Sequence, residues 1–498
     1  MVTGSILGSP IKVGTMMLKN RVIAPPHAAL LGNLFGSEAE AAPYISYWES
    51  LARGGTALLT ALNGFVENIL PPGFDPTGVG ARKAGVFRNP LFVKRMGRIA
   101  EAVHAHGACA STQLIMQGGM PHGPSNTLSG PVINTVPHAL TLQEIDWFVR
   151  EYRFSAEQAL AAGLDAIELH ANHDDLIEWF LSPLTNRRSD EFGGSFEKRM
   201  AFLGAILDAI REGVGDRLNV GVRLNMAEAE PGGYAAEEGL HIAQWIEATG
   251  RVDYLHLVMG TGWGYPSYIQ TPHFRSGAWS SMAQTFRQGL RLPVVYGGRV
   301  DSAEVAERIL AADHADLVSV GRAHLADPDF TRKATGEDVR PLRPCIGTND
   351  CINRALAEGL PFGCASNPSL GLGDRGPVAR ADVSRSVLVI GGGPAGLQLA
   401  VTAAERGHEV ELWEGTDTLG GQVRLSSLLP GQEIHSRLIE YLSGRLDELS
   451  VTVRTGKWAG AASVRAHACD VVAIATGATA RWPEIEGVRS PQVCDAWQ

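Results

Sequence analysis

Between about residue 20 and residue 330, short apolar runs alternate with longer amphipathic ones. The runs are RVIAPP (21–26), TALLTALN (56–63), CASTQL (109–114), AIELH (166–170), NVGVRLN (219–225), DYLHLVMG (253–260), PVVYGG (293–298) and LVSVG (317–321). Each is a few residues long and mostly lacks period-two alternation, the pattern of parallel strands buried on both faces. The intervening segments carry helical spacing. PLFVKRMGRIAEAVHAHG sets Phe92, Met96, Ile99 and Val103 on one stripe. TLQEIDWFVREYRFSAEQALAAG begins with Thr141, has Glu144 three residues on as a capping box, and ends at Gly163. Eight strand–helix units in roughly 300 residues predict an α/β chain with a TIM (β/α)8 barrel over residues 1–330. A doubly wound open sheet is the competing arrangement, but no glycine-rich phosphate loop follows the first strand. In a barrel the chemistry gathers at the C-terminal ends of the strands.

A second pattern starts at Ser386, in SVLVIGGGPAGLQLAVTAAERGHEVELWEG. A strand leads into Gly391, Gly393 and Gly396 in G-x-G-x-x-G spacing; a helix and a second strand follow, with Glu414 at the strand's end. In that context the spacing predicts dinucleotide binding. The glycines let the backbone approach a pyrophosphate, the helix N-terminus favours its charge, and Glu414 accepts from a ribose hydroxyl. Residues 385–498 are therefore expected to form a partial Rossmann-like FAD- or ADP-binding domain. It reads as partial because twenty residues follow VVAIATGA (471–478), where a full nucleotide module needs on the order of 100 more. The expectation is that the chain is truncated or that a partner chain completes this domain. Residues 331–384 read as a loop-rich connector.

Composition narrows the partners. A formal net charge of −10 without a basic run argues against nucleic acid. No apolar stretch nears the ~18 residues of a spanning helix, and MVTGSILGSPIKVG lacks a signal-peptide pattern. The expected setting is the cytoplasm, with no membrane partner and reduced thiols. Within CIGTNDCINRALAEGLPFGC, residues 345–364, stand three of the six cysteines. In a reducing compartment a metal or iron–sulfur role suits them better than a disulfide.

Several stretches together resemble a known family: NRVIAPPH, HAHGACASTQL, AGLDAIELHANHDDLIEWFLSPLTNRRSDEFGGSFEKRMAF, PVVYGGR and ADLVSVGRAHLADPDF. They resemble the old yellow enzyme barrel. The cysteine cluster and VLVIGGGPAG that follow resemble its long branch, with 2,4-dienoyl-CoA reductase, trimethylamine dehydrogenase and related N-demethylases. The resemblance implies FMN in the barrel, a [4Fe-4S] cluster after it and an FAD or ADP site beyond. It implies a flavin contact around Pro25, Pro26 and His27, non-covalent because the covalent-flavin cysteine is absent. Gln113 and Arg223 match the residues that hold the flavin pyrimidine ring; Gly298, Arg299, Gly321 and Arg322 match the phosphate site. Cys345, Cys351 and Cys364 match the first, third and fourth cluster ligands, with Thr348 in place of the second. Thiolate is the preferred iron ligand and a hydroxyl a poor one. The alternatives left are a [4Fe-4S] cluster completed by Thr348, another group or water; a [3Fe-4S] cluster; and zinc or plain packing of the thiols.

On the substrate side, His170 and His173 match the H-x-x-H pair that hydrogen-bonds a carbonyl oxygen in ene-reductases. The proton-donating tyrosine of those enzymes is replaced by Asp175, after Asp174. Asp175 is expected either to donate a proton, if burial raises its pKa, or to attract a cationic amine when ionised. Trp263, Tyr265, Tyr268 and His273 are expected to line the site as an aromatic wall. Three functions compete. In the first, NAD(P)H reduces the flavins and FMN delivers hydride to a carbonyl-conjugated alkene. In the second, an amine dehydrogenase takes hydride from an N-methyl amine without NAD(P)H. The third is an electron-transfer subunit that needs its partner chain. A small-molecule substrate and a homo-oligomer are expected.

Overall fold

The computed structural model describes residues 5–27, 29–66, 85–119, 121–128, 135–261, 265–371 and 378–495. The chain divides into two compact units, Met1–Asp374 and Arg375–Gln498. The first runs on through the cysteine segment, most of the stretch expected to be a separate connector.

All eight expected strands form. They are β1 (Val22–Ala24), β2 (Leu58–Phe65), β3 (Cys109–Ile115), β4 (Ala166–Ala171), β5 (Asn219–Asn225), β6 (Tyr254–Val258), β7 (Val294–Gly297) and β8 (Leu317–Ser319). They pair in sequence order, all parallel, and close into a barrel. Helices follow the strands on the outside: α1 (Glu38–Arg53), α2 (Phe92–His104), α3 (Leu142–Ala161), α4 (Leu176–Leu181) with α5 (Phe196–Val214), α6 (Ala236–Ala248), α7 (Ser280–Gly289) and α8 (Ala303–Ala311). The stripe on α2 is the buried one: Phe92, Met96, Ile99 and Val103 are fully covered, each contributing about 1.5–3 kcal/mol. The capping box on α3 forms in both directions. Thr141 Oγ1 accepts from the Glu144 amide at 3.3 Å, and Glu144 Oε2 accepts from the Thr141 amide at 2.7 Å.

Two features aim the barrel's open end. A hairpin of Ile11–Val13 and Met16–Leu18 packs Val13, Met16 and Leu18 against the first residues of the strands, among them Leu58, Tyr254 and Leu317. That closes the N-terminal mouth. At the other end, the β2–β3 register shifts between Thr60 and Asn63, an irregularity of the kind that re-aims a side chain, and Asn63 faces the cavity there.

The second unit is a four-stranded parallel sheet. Its strands are β9 (Ser386–Ile390), β10 (Glu409–Trp413), β11 (Thr452–Arg454) and β12 (Val471–Ile474), in the order β11-β10-β9-β12. The helix α9 (Pro394–Glu405) starts directly after the glycine loop, with Gly393 as N-cap and Pro394 at its first position, where a missing N–H costs nothing.

Candidate active site

Inside the barrel, adjacent parallel strands set polar side chains level in two pairs, one two residues above the other. Gln113 on β3 pairs in register with Glu168 on β4, and Arg223 on β5 pairs with His256 on β6. Glu168, fully buried, accepts from Gln113 Nε2 at 2.8 Å, lies 2.9 Å from His256 Nδ1, and takes the Tyr254 hydroxyl at 3.4 Å. Gly221 between them makes this possible, since a Cβ there would sit 2.1 Å from the Tyr254 ring. Burial pulls the Glu168 pKa up, but His256, Arg223 and Gln113 outweigh it and hold the carboxyl below its usual range. Glu168 is thus the counter-charge of Arg223, whose buried Nε has no hydrogen-bond partner among the described residues. Neither Glu168 nor His256 was among the expected site residues; the signal available was an acid inside the apolar run AIELH, a residue type almost never fully buried unless paired.

His170 is the last residue but one of β4, and beyond the strand His173 and Asp174 lie in the left-handed region, with φ of 55° and 65°. Two such non-glycine residues in succession mark a strained turn. It is pinned by Gly118 N donating to Asp174 O at 2.7 Å and Asp174 N donating to Glu178 Oε2 at 2.8 Å. Both imidazoles face the cavity, their rings 5.5 Å apart. Burial first, then Arg223 and His170, push His173 well below its ordinary pKa, so it is neutral.

Asp175 lies elsewhere than the sequence implied. It caps α4, accepting from Ile177 N at 3.0 Å, from Met116 N at 2.8 Å, and lying 3.2 Å from His170 Nδ1. Burial raises its pKa, as expected, but the carboxyl is spent on two amides and an imidazole and does not line the cavity. It therefore contacts His170 from outside the cavity lining.

The cavity measures about 390 Å³. Of the expected residues it brings together Pro25, Pro26, His27, Gln113, His170, His173, Arg223, Gly298, Arg299, Gly321 and Arg322, with Cys345 at its edge. His27 is held by Pro25 O at 2.9 Å and the Tyr47 hydroxyl at 2.7 Å, and burial pushes its pKa down to about 4. The Arg299 guanidinium is spent on Thr271 O, Phe274 O and Asp301, so its side chain is not free for a phosphate. Arg322 reaches the Asn349 side chain. Of the aromatic wall, Tyr268 lines the cavity with its ring 4.6 Å from that of His173. Tyr265 is 75% exposed and His273 is also exposed, so neither contributes. Trp263 lies outside the described residues.

FMN fits these residues. A buried, unpartnered Arg223 Nε faces the cavity, Gln113 keeps its amide oxygen unspent, and Arg322 offers a cation beside Gly321. The cluster ligands fit less well. Cys351 senses both Cys345 and Cys364 and is pushed up to about 11, chiefly by burial, yet Thr348 is exposed. Among the described residues no three His, Cys, Asp or Glu side chains close on one metal-sized point.

In the second unit each glycine has its own reason. Gly391 has φ of 108°, and a Cβ would meet Ala475 O at 2.3 Å; one at Gly396 would meet Gly391 O at 1.9 Å. At Gly393 a Cβ would meet nothing within 4 Å, the open approach a pyrophosphate requires. Glu414 closes the loop by accepting from Gly392 N at 2.7 Å.

A parallel barrel whose mouth holds a buried arginine opposite a carboxylate, followed by a glycine-loop nucleotide fold, defines a flavin-dependent oxidoreductase. Residues 7–338 match the model of the NADH:flavin oxidoreductase / NADH oxidase family, and residues 385–497 that of pyridine nucleotide-disulphide oxidoreductases. The chain belongs to the NADH:flavin oxidoreductase / NADH oxidase family. It is 34% identical to an NADH oxidase of Thermoanaerobacter brockii, over 98% of this chain and 75% of that one. It is 31% identical to a probable N-methylproline demethylase of Rhizobium meliloti, strain 1021, over 94% and 69%. A solved 2-naphthoyl-CoA reductase in complex with 2-naphthoyl-CoA superposes with a TM-score of 0.90 at 27% identity, covering 99% of this chain and 77% of that one. Among the described residues no helix is long and apolar enough to cross a membrane.

Proposed function

We propose that this chain reduces a carbonyl-conjugated alkene, with FMN in the barrel and NAD(P)H as the reductant. The observation that carries this reading is the His170–His173 pair facing the same cavity as Arg223 and Gln113. Hydrogen bonds from the imidazoles to a substrate carbonyl withdraw charge and make the β-carbon a hydride acceptor. Asp175 holds His170 in place for that role. Gln113 and Arg223 would hold the flavin's pyrimidine edge and Arg322 its phosphate; the bound flavin supplies the hydride chemistry. The likeness to a 2-naphthoyl-CoA reductase supports a reductive direction. The glycine loop would take FAD or ADP. Six unpaired cysteines suit the reducing cytoplasm.

The runner-up is oxidation of an N-methyl amine, favoured by the demethylase relative and by Asp174, whose charge reaches Tyr268. Charge argues against it. Arg223, Arg299 and Arg322 all line the cavity, and its one described carboxylate, Asp301, is engaged by Arg299 and Ser276. Anaerobic stopped-flow absorbance separates the two. The expected result is bleaching of the flavin by NADH or NADPH and recovery on adding an enone or a cinnamyl substrate. Bleaching by a methylated amine alone would establish the amine reading instead.

A further inference from the structure

Reduction of an activated alkene needs a proton at the α-carbon as well as hydride at the β-carbon, and the candidate from the motif, Asp175, does not reach the cavity. We propose that Tyr268, from the loop after β6, is the proton donor, an assignment that rests on the alkene-reductase reading. Tyr268 lines the cavity and its ring lies 4.6 Å from His173, tilted by 31°. His173 in turn lies 5.5 Å from His170. The phenol ring therefore stands beside His173, one of the two imidazoles that would hold the carbonyl next to the α-carbon. Its hydroxyl has no hydrogen-bond partner among the described residues. The residue is 38% exposed, so a spent phenolate regains its proton from solvent. Burial, and then the nearby Asp174 carboxylate, raise its pKa and keep the phenol protonated near neutral pH.

The neighbours compete poorly. Asp175 is spent on two backbone amides and His170. Asp301 is held by Arg299 and Ser276. His173 is neutral, and its N–H is required on the carbonyl oxygen. The step balances. A bound flavin, reduced by the nicotinamide dinucleotide, would supply the hydride, two electrons and a proton, for the β-carbon. The alkene π pair, held in the enolate, forms the α C–H bond with the phenol proton. The Tyr268 O–H bond breaks, and water reprotonates the phenolate.

The test is anaerobic stopped-flow on the holoenzyme and on Tyr268→Phe, with each half-reaction followed separately. Reduction by NADH or NADPH is expected within twofold of wild type. Reoxidation by 2-cyclohexenone is expected to slow by about 100-fold or more, the scale of a lost general acid. In D2O, an α-methyl enone is expected to lose the single-face deuteration that the wild type gives. Reoxidation within twofold of wild type, with the label on the same face, overturns the assignment. If no activated alkene reoxidises the wild-type flavin, the reductase reading fails and the donor assignment falls with it. If the variant loses its flavin, the wild-type pH profile decides. A phenol predicts a reoxidation rate flat from about pH 6 to 9 and falling only above the tyrosine range, about pH 10; a fall near pH 7 assigns an imidazole and overturns the proposal.

Discussion

One carboxylate decides whether the barrel tolerates its central cation. Arg223 is half-buried with its Nε covered, and Glu168 is the anion whose charge reaches it. The same carboxylate fixes the Gln113 amide and the His256 ring. Glu168→Gln removes the charge and keeps the shape. Removing one partner of a fully buried ion pair costs about 3–5 kcal/mol, which is the upper bound here because Arg223 is half-buried and the direct partner of Glu168 is His256. The variant is expected to lose stability on that scale in urea titration and to retain less FMN through gel filtration. A midpoint within about 1 kcal/mol of wild type would mean that Arg223 does not depend on Glu168. The sequence placed Arg223 and Gln113 but gave no reason to group Glu168 with them. Their meeting is set by parallel register, Gln113 level with Glu168 and His170 with Arg223, and register is invisible to a reading of one strand at a time.

At the scale of elements, the hydrophobic pattern was highly informative. Strands buried on both faces write themselves as continuous apolar runs, so all eight were legible. Their ends were less so: RVIAPP contributed only Val22–Ala24, because apolar residues continue where pairing stops. The loop after β4 was misread for a related reason. The motif numbering put Asp175 in a substrate role, but an aspartate one residue before a helix serves that helix first, and Asp175 caps α4. The family resemblance puts Thr348 at a ligand position, whereas the segment leaves it exposed. The glycine loop makes the sharper test, since its three glycines differ. Gly391→Ala forces a Cβ at φ 108° and 2.3 Å from Ala475 O, which costs at least about 1–3 kcal/mol of backbone strain before the clash is counted. Gly393 has extended φ of −76° and open space around its Cβ position. Gly393→Ala is therefore expected to leave the thermal transition of the second unit unchanged while weakening dinucleotide binding; Gly391→Ala is expected to lower both. Equal binding of FAD or ADP by Gly393→Ala and wild type, measured by calorimetry, would remove the pyrophosphate from this loop.

Over the whole molecule, the pH dependence of stability carries two opposed contributions that local sequence hides. His324 is buried and His27 half-buried, and desolvation pushes both down to about 4. The unfolded chain binds their protons first, so stability falls as pH drops below about 6.5. Glu178 and Glu228 act with the other sign. They stand in LIEWFL and MAEAE, and tertiary packing leaves them 5% and 8% exposed. Burial raises both, Glu178 further through the charges of Glu228 and Asp174, and Glu228 reaches about 7 against its hydrogen bonds from Ser182 and Tyr234 N. Glu238 adds to that rise and Arg199 opposes it. The folded state therefore holds protons that the unfolded chain has released, and this stability is present below about pH 4.5 and lost as pH rises through 7. Glu228→Gln isolates the acid contribution, because the amide oxygen still accepts from Ser182 Oγ and Tyr234 N while the histidines are unchanged. Relative to wild type, the variant is expected to gain about 2–3 kcal/mol between pH 5 and pH 8. Urea midpoints at the two pH values measure it. A difference that stays constant between them would mean that Glu228 is ionised in the folded protein throughout, and that the buried acids set no upper limit on its pH range.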